Sequence, residues 1–179
     1  MKELLSEEVL ARARAVTCLV LDVDGVLTDG RIVYDEYGDE LKYFDVQDGT
    51  GVVFWHRAGF RTVMITARRA RSIKRRAKEM HVDVLVQKAF KKLPAFEQAL
   101  KRLRISPEQV CAVGDDLLDL PVLRRAGLAV AVANAVDEVK ATCHYVTAKS
   151  GGQGAVREVT ELLLHAHGLW DQTLQPYLI

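Results

Sequence analysis

The sequence predicts an α/β fold in which a parallel sheet lies between two layers of helices. Short apolar runs without polar alternation recur along the chain, which is typical of strands buried on both faces. Stretches of helical period separate these runs, and strands that alternate with helices form parallel sheets. We therefore expect a three-layer, Rossmann-like arrangement, with ligands bound at the carboxyl ends of the strands.

The chain begins with an expected helix and strand. Ser6 is followed by two glutamates, a pattern that starts a helix, and this helix ends near Ala15. The first strand spans 17–22. Segment 31–44 then interrupts the alternation, because it has the pattern of two short strands around a turn at 35–39. We expect a β-hairpin inserted directly after the first strand.

The remaining elements alternate regularly. Four more strands are expected at 61–66, 82–86, 110–114 and 128–133. The expected helices lie at 49–58, 70–80, 92–103, 117–126 and 154–167. A Gly-rich loop at 148–156 precedes the last helix, and an apolar-rich tail occupies 169–179. We expect residues 1–179 to form a single domain without a cap domain, because 179 residues leave little room for a second one.

Composition argues against several functional classes. The 25 Lys and Arg residues nearly balance the 24 Asp and Glu residues, so we expect no nucleic-acid partner. The basic run at 68–78 is interpreted as the solvated face of a helix that buries Ile73 and Ala77. No apolar run approaches the ~18 residues of a membrane span, and acids near the N-terminus are untypical of a signal peptide. Three widely spaced cysteines indicate a reduced, cytoplasmic protein.

Polar residues with catalytic potential cluster where the expected strands end. They are Asp22 and Asp24 after the first strand, Thr66 after the second, Lys92 after the third, and Asp115, Asp116 and Asp119 after the fourth. Carboxylates packed together repel one another unless a cation lies between them, and aspartate oxygens suit Mg²⁺. Lysine and threonine beside such a site can hold phosphoryl oxygens. The pattern predicts phosphoryl-transfer chemistry.

Four segments resemble, in order, spacing and strand context, the motifs of the haloacid dehalogenase-like phosphatases. They are DVDGVLTDG at 22–30, MITAR at 64–68, Lys92, and GDDLLD at 114–119. The resemblance implies that Asp22 is a nucleophile that forms an aspartyl-phosphate and that Asp24 is the general acid and base. It also implies that Thr66 and Lys92 hold the transferring phosphoryl group.

The same resemblance implies a Mg²⁺ site. The side chains of Asp22 and Asp115 and the backbone carbonyl of Asp24 would bind the ion, while Asp116 and Asp119 would orient the ligands or the lysine. The alternative is that these acids only cap a turn and a helix. Four motifs in the correct order favour the metal site over that alternative.

Further segments resemble a capless subfamily whose best-known members hydrolyse 3-deoxy-D-manno-octulosonate 8-phosphate. They are the hairpin, FDVQDGTG at 44–51, TAR at 66–68 and GGQGAVREV at 151–159. This resemblance implies a phosphorylated sugar acid as substrate, with contacts from Asp48, Gly49, Arg68 and Arg76. It also implies a homotetramer in which a neighbouring subunit helps to close each site, because an uncapped site is open to water.

The chain departs from this subfamily at several positions. Asp45, Gln47, Ala67, Lys88 and Gln153 stand where the subfamily usually has Asn, Arg, Gly, Gly and Arg. Glutamine cannot bind a carboxylate in the bidentate manner of arginine. The substrate therefore stays open between the eight-carbon sugar acid, a nine-carbon keto-deoxy sugar-acid phosphate and a broader set of phosphorylated metabolites. An alternative of another class is a non-catalytic oligomerisation or regulatory module.

Overall fold

The computed structural model describes residues 6–178 of the chain. Residues 1–5, which belong to the N-terminal stretch discussed above, and Ile179 at the end of the tail lie outside the described residues. No helix within 6–178 is long and apolar enough to cross a membrane.

A six-stranded parallel sheet in the order β5-β4-β1-β6-β7-β8 forms the centre of the fold, and β2 and β3 form a separate two-stranded sheet. The strands are β1 (Cys18–Leu21), β2 (Val33–Tyr34), β3 (Glu40–Leu41), β4 (Arg61–Ile65), β5 (Val84–Val86), β6 (Val110–Gly114), β7 (Leu128–Ala131) and β8 (Tyr145–Val146). Leu21, the last residue of β1, pairs with Met64 on one side and Val113 on the other. The residues that follow β1 therefore have neighbours from both adjacent strands.

Helices cover the sheet in two groups. They are α1 (Glu7–Ala15), α2 (Val46–Arg57), α3 (Arg71–Glu79), α4 (Lys92–Leu103), α5 (Leu120–Leu123), α6 (Asp137–Thr142), α7 (Ala155–Ala166) and α8 (Trp170–Leu174). Helix α7 packs against α1 and α2, whereas α5 packs against α4 and α6. This arrangement confirms the three-layer α/β fold, and residues 6–178 form no cap domain above the sheet.

The inserted hairpin is confirmed, and its strands are only two residues long. Val33 pairs with Leu41 and Tyr34 with Glu40. The Asp35 carboxylate accepts hydrogen bonds from two backbone N–H groups inside the turn, which stabilises it. The hairpin leaves large apolar side chains exposed to solvent: Ile32, Tyr34, Tyr37, Leu41 and Tyr43.

Two helices differ from the sequence prediction for local reasons. Helix α2 begins three residues before 49–58, because the Asp45 side chain accepts hydrogen bonds from the N–H groups of Gln47 and Asp48 and so caps an earlier start. The helix expected at 117–126 is a 3₁₀ turn followed by the short α5. There the side chain of Asp116 caps the turn.

Candidate active site

The predicted catalytic residues lie together at the carboxyl ends of the central strands. A cleft of about 880 Å³ is lined by Asp22 after β1, Thr66 after β4, Lys92 at the start of α4 and Asp115 after β6. Asp24 lines the same cleft, two residues beyond Asp22. The topology explains this convergence, since parallel strands present their carboxyl ends at one edge of the sheet.

Lys92 forms the centre of a buried ion-pair network. Its Nζ lies 2.7 Å from Oδ1 of Asp22 and 2.6 Å from Oδ1 of Asp119. Burial lowers the pKa of this ammonium, but the two carboxylates outweigh that effect and raise the pKa above its usual value. Asp119 also accepts a hydrogen bond from the backbone N–H of Asp115 at 3.1 Å. Asp119 thus links the lysine to the loop that carries Asp115.

The acidic cluster carries more negative charge than Lys92 balances. Oxygen atoms of Asp22, Asp115 and Asp119 lie within 4.8 Å of one another. Burial, with the charge of Asp119 adding to it and Lys92 opposing it, raises the pKa of Asp22 to about 7. Burial and the charge of Asp22 raise the pKa of Asp115 to about 8. A divalent cation among these oxygens would relieve the repulsion.

An unpartnered oxygen supports the same conclusion. Oδ1 of Asp115 is buried and has no hydrogen-bond partner among the described residues. Buried polar atoms are nearly always partnered, and a set of carboxylate oxygens is the donor type that Mg²⁺ prefers. The residues present therefore suit Mg²⁺. The loop after β1 approaches this carboxylate closely, because Gly25 has a φ of +96° and a Cβ there would lie 2.0 Å from Oδ2 of Asp115.

The carboxylate of Asp24 is held from two sides. Its Oδ2 accepts a hydrogen bond from Oγ1 of Thr66 at 3.2 Å, and its Oδ1 accepts one from Nζ of Lys42. Thr66 is fully buried, and its Oγ1 in turn accepts the backbone N–H of Arg68 at 3.1 Å. In this structure Thr66 therefore contacts the expected acid–base residue directly.

Sequence reasoning missed Lys42 and Glu40. Both belong to the hairpin segment, and Nζ of Lys42 lies 2.6 Å from Oε1 of Glu40. Oε2 of Glu40 also lies 3.6 Å from Nη1 of Arg68, a half-buried residue that lines the cleft. No motif marked either residue. The available signal was the position of the hairpin directly after the first strand, which allows it to fold over the strand ends.

The predicted substrate contacts divide into two groups. Arg68 lines the cleft. Asp116, the residue predicted to orient the metal ligands or the lysine, lines the cleft too and caps the 3₁₀ turn through the N–H of Leu117. Asp48 does not line the cleft. Its carboxylate is buried and accepts the backbone N–H groups of Gly154 and Arg157, at 3.3 and 2.8 Å. Within one chain, its placement is that of a structural link between α2 and α7.

Gly49 and Arg76 likewise lie outside the cleft of their own chain. Nη2 of Arg76 donates to the carbonyl oxygen of Asp45 at 2.8 Å. Gly49 packs against this guanidinium so closely that a Cβ would lie 1.9 Å from Nη2. Asp48, Gly49 and Arg76 thus lie outside the cleft of their own chain, among α2, α3 and α7. Their role as substrate contacts stays a prediction.

Two of the departures from the subfamily pattern lie in the cleft. Ala67 and Lys88 line it, and Lys88 adopts a left-handed φ of +61°. Gln47 and Gln153 are exposed, and Asp45 caps α2. The cleft cations therefore include one that the subfamily usually lacks.

Comparison with known proteins places these features in context. The family model of the haloacid dehalogenase-like hydrolases matches residues 75–159. The 3-deoxy-D-manno-octulosonate 8-phosphate phosphatase of Escherichia coli (strain K12) is 44% identical over 168 residues, which cover 94% of this chain and 89% of the relative. The similarity thus extends over nearly the whole sequence.

Solved structures agree with the sequence comparison. The crystal structure of the 3-deoxy-D-manno-octulosonate 8-phosphate phosphatase from Yersinia pestis has a TM-score of 0.92 at 41% identity, covering 93% of this chain and 90% of its own. The enzyme of the same name from Moraxella catarrhalis, in complex with magnesium ion, phosphate ion and a KDO molecule, has a TM-score of 0.93 at 38% identity. That match covers 95% of this chain and 98% of the relative.

Proposed function

Because the chain belongs to the haloacid dehalogenase-like hydrolases, we propose that it hydrolyses 3-deoxy-D-manno-octulosonate 8-phosphate. It is a Mg²⁺-dependent phosphomonoesterase that works through an aspartyl-phosphate. The observation that carries the proposal is the juxtaposition of Asp22, Asp115 and Lys92 at the ends of adjacent strands, with Nζ of Lys92 2.7 Å from Asp22. Nucleophile, cation ligands and phosphoryl-binding ammonium are then within reach of one phosphate group.

In the first step, a carboxylate oxygen of Asp22 attacks the phosphorus atom. The bond between phosphorus and the ester oxygen breaks, and the carboxyl group of Asp24 gives its proton to the departing sugar oxygen. Lys92 holds the phosphoryl oxygens, and its positive charge offsets the charge that accumulates there. The hydroxyl of Thr66 donates a hydrogen bond to Asp24 and so acts on the proton donor. The products of this step are the free sugar acid and phosphorylated Asp22.

In the second step, a water molecule attacks the phosphorus atom of the aspartyl-phosphate. The carboxylate of Asp24 takes the proton from this water, the bond to Asp22 breaks, and inorganic phosphate leaves. Asp22 and Asp115, with the backbone carbonyl of Asp24, would hold the Mg²⁺, and Asp119 would orient them. The ion, when bound, supplies positive charge that offsets repulsion between carboxylates and phosphate.

Cationic side chains at the cleft support an acidic sugar as the substrate. Arg68, Arg69 and Lys88 line the cleft in addition to Lys92, so a second anionic group such as a carboxylate has partners there. The second candidate is a nine-carbon keto-deoxy sugar-acid phosphate or a broader set of phosphorylated metabolites. It is favoured by Gln47 and Gln153, where the subfamily usually has arginines, because arginine can bind a carboxylate in a bidentate manner and glutamine cannot.

A phosphate-release screen tests the proposal. Purified protein is assayed with the eight-carbon and nine-carbon sugar-acid phosphates and with D-arabinose 5-phosphate, which lacks a carboxylate. Each substrate is measured with Mg²⁺ and with a chelator. We expect the highest kcat/KM for the eight-carbon substrate and loss of activity in the chelator. A higher value for the nine-carbon substrate would favour the second candidate, and no hydrolysis of any phosphomonoester would overturn the proposal.

We also propose that copies of the chain, each a single domain, assemble into a cytoplasmic homotetramer. The exposed apolar side chains of the hairpin support this assembly, because monomeric proteins rarely expose such a patch. The open cleft supports it too, since a neighbouring subunit would exclude water from the site.

A further inference from the structure

Lys42 is a buried cation that lies behind the cleft rather than in it. Its side chain is 1% exposed, whereas that of Asp24, to which it donates a hydrogen bond, is 23% exposed. Asp24 and Glu40 line the cleft, and Lys42 does not. The ammonium therefore contacts the cleft-facing carboxylates from their protein side, where a substrate does not reach it.

Lys42 and Thr66 together fix both oxygens of the Asp24 carboxyl group. Lys42 bonds Oδ1, and the hydroxyl of Thr66 bonds Oδ2 at 3.2 Å. The anchors are themselves held, because Glu40 bonds Lys42 at 2.6 Å and Thr66 accepts the N–H of Arg68. A carboxyl group held at both oxygens has one orientation, and a proton donor must be oriented toward the atom that it serves.

We propose that Lys42 is a positioning residue that orients Asp24 for proton transfer to the leaving sugar oxygen. The inference rests on the proposed function, since it assigns Lys42 a task in that reaction. It also gives the hairpin a positioning role in the reaction of its own chain. Through Lys42 the hairpin sets the direction of the carboxyl group that follows β1.

The competing explanation is that Lys42 only attaches the hairpin to the sheet. The two explanations differ in how the effect of a substitution depends on the leaving group. A sugar alkoxide is strongly basic and departs only with a proton, whereas 4-nitrophenolate is a stable anion that needs little help. A misdirected Asp24 therefore slows the first reaction selectively, whereas a displaced hairpin slows both alike.

The test compares Lys42→Met with the unmodified protein on the two kinds of substrate. The parameter is kcat/KM, which includes steps up to the departure of the alcohol. We expect a loss of about 100-fold for the sugar-acid phosphate, the lower range for general acid catalysis. For 4-nitrophenyl phosphate we expect a loss below about 3-fold. Lys42→Arg, which keeps the charge and donors, should restore part of the sugar-phosphate activity, and Lys101→Met, an exposed lysine on α4, is the matched control.

A second readout follows from the role of Asp24 as the base in the second step. With 4-nitrophenyl phosphate, Lys42→Met should form the aspartyl-phosphate quickly and hydrolyse it slowly. Stopped-flow absorbance should then show a burst of nitrophenolate of about one equivalent per site, which the unmodified protein lacks. A merely structural role does not produce this burst.

Three outcomes would overturn the inference. They are equal losses of kcat/KM on the two substrates, unchanged activity on the sugar-acid phosphate, and unfolding of both Lys42→Met and Lys42→Gln by circular dichroism. Failure of the proposed function is separate, because it would appear in the unmodified protein as no Mg²⁺-dependent phosphate release from either substrate.

Discussion

At the scale of single residues, the balance of charge around Lys92 governs the site. One ammonium faces three carboxylates, and burial raises the pKa values of Asp22 and Asp115 toward neutrality. Without a metal ion beside Lys92, such an arrangement is unfavourable, because buried carboxylates lose hydration and repel one another. The residues thus favour the metal-loaded state.

Asp115→Asn should abolish the response of the protein to Mg²⁺. The substitution removes one of the clustered carboxylates, so the ion loses a charged ligand, and phosphatase activity should fall by at least about 100-fold. The measurement is the thermal unfolding midpoint with and without Mg²⁺, which ligand binding raises in the unmodified protein. Glu97→Gln is the matched control, because Glu97 is an exposed acid on α4 outside the cluster. An undiminished rise in the midpoint for Asp115→Asn would contradict this account.

At the scale of elements, Asp48 connects two helices that pack together. Its side chain, near the start of α2, accepts backbone N–H groups at Gly154 and Arg157, at the start of α7. Burial raises the pKa of Asp48 to about 6, although these hydrogen bonds oppose the rise. The link between α2 and α7 therefore depends on pH.

The sign of that dependence follows from proton uptake. Between pH 3.8, the ordinary pKa of Asp48, and about pH 6, Asp48 keeps a proton in the folded chain that it has released in the unfolded chain. The stability contributed by protonated Asp48 is therefore complete below pH ~4 and is lost as the pH rises through about 6. Asp48→Asn cannot ionise, so it does not lose this stability as the pH rises. Between pH 4 and 7, its free energy of unfolding should therefore rise by up to about 3 kcal/mol relative to that of the unmodified protein. Urea unfolding at both pH values measures the difference, and parallel pH profiles would contradict the prediction.

The elements that could be predicted from sequence are those with a strong local signal. The strand at 110–114 and the helix at 92–103 have the expected bounds. An unbroken apolar run marks the strand, and apolar residues at helical spacing mark the helix. Helix α6, strand β8 and helix α8 were not predicted. They are two to six residues long. Elements this short depend on tertiary contacts, such as the hydrogen bond from the N–H of Ala129 to Nδ1 of His144 beside β8.

The same distinction applies to the site. Asp22, Thr66, Lys92 and Asp115 could be placed together from sequence, because the topology of a parallel sheet brings strand ends to one edge. Lys42 could not, since its contact with Asp24 depends on how the hairpin folds back over that edge. The spacing of residues along the chain does not determine how the hairpin is oriented relative to the sheet.

At the scale of the whole molecule, the open cleft connects shape to assembly. The volume of the cleft is about 880 Å³. Within residues 6–178 no cap domain covers it, and the hairpin is the element inserted after β1. Electrostatic stabilisation of phosphoryl transfer is strongest where water is excluded. A neighbouring copy that packs on the hairpin would provide this exclusion.

Charging the hairpin surface should therefore dissociate the protein and lower its activity. Tyr34 and Tyr37 are 61% and 84% exposed, so replacing both by lysine costs little within one chain but opposes burial against a partner. Light scattering should give a tetramer for the unmodified protein and a smaller species for Tyr34→Lys/Tyr37→Lys, with reduced kcat/KM. A fully active monomer of the unmodified protein at assay concentration would refute the proposed assembly.

The central claim is that Asp22 attacks the phosphate of a sugar acid, and its carboxylate can be removed with little change in shape. The decisive measurement is phosphate release from 3-deoxy-D-manno-octulosonate 8-phosphate in Mg²⁺ by purified Asp22→Asn. We predict that kcat falls by at least about 10³-fold, the scale of losing a nucleophile, while circular dichroism shows an intact fold. Near-normal phosphatase activity of the folded variant would contradict the mechanism.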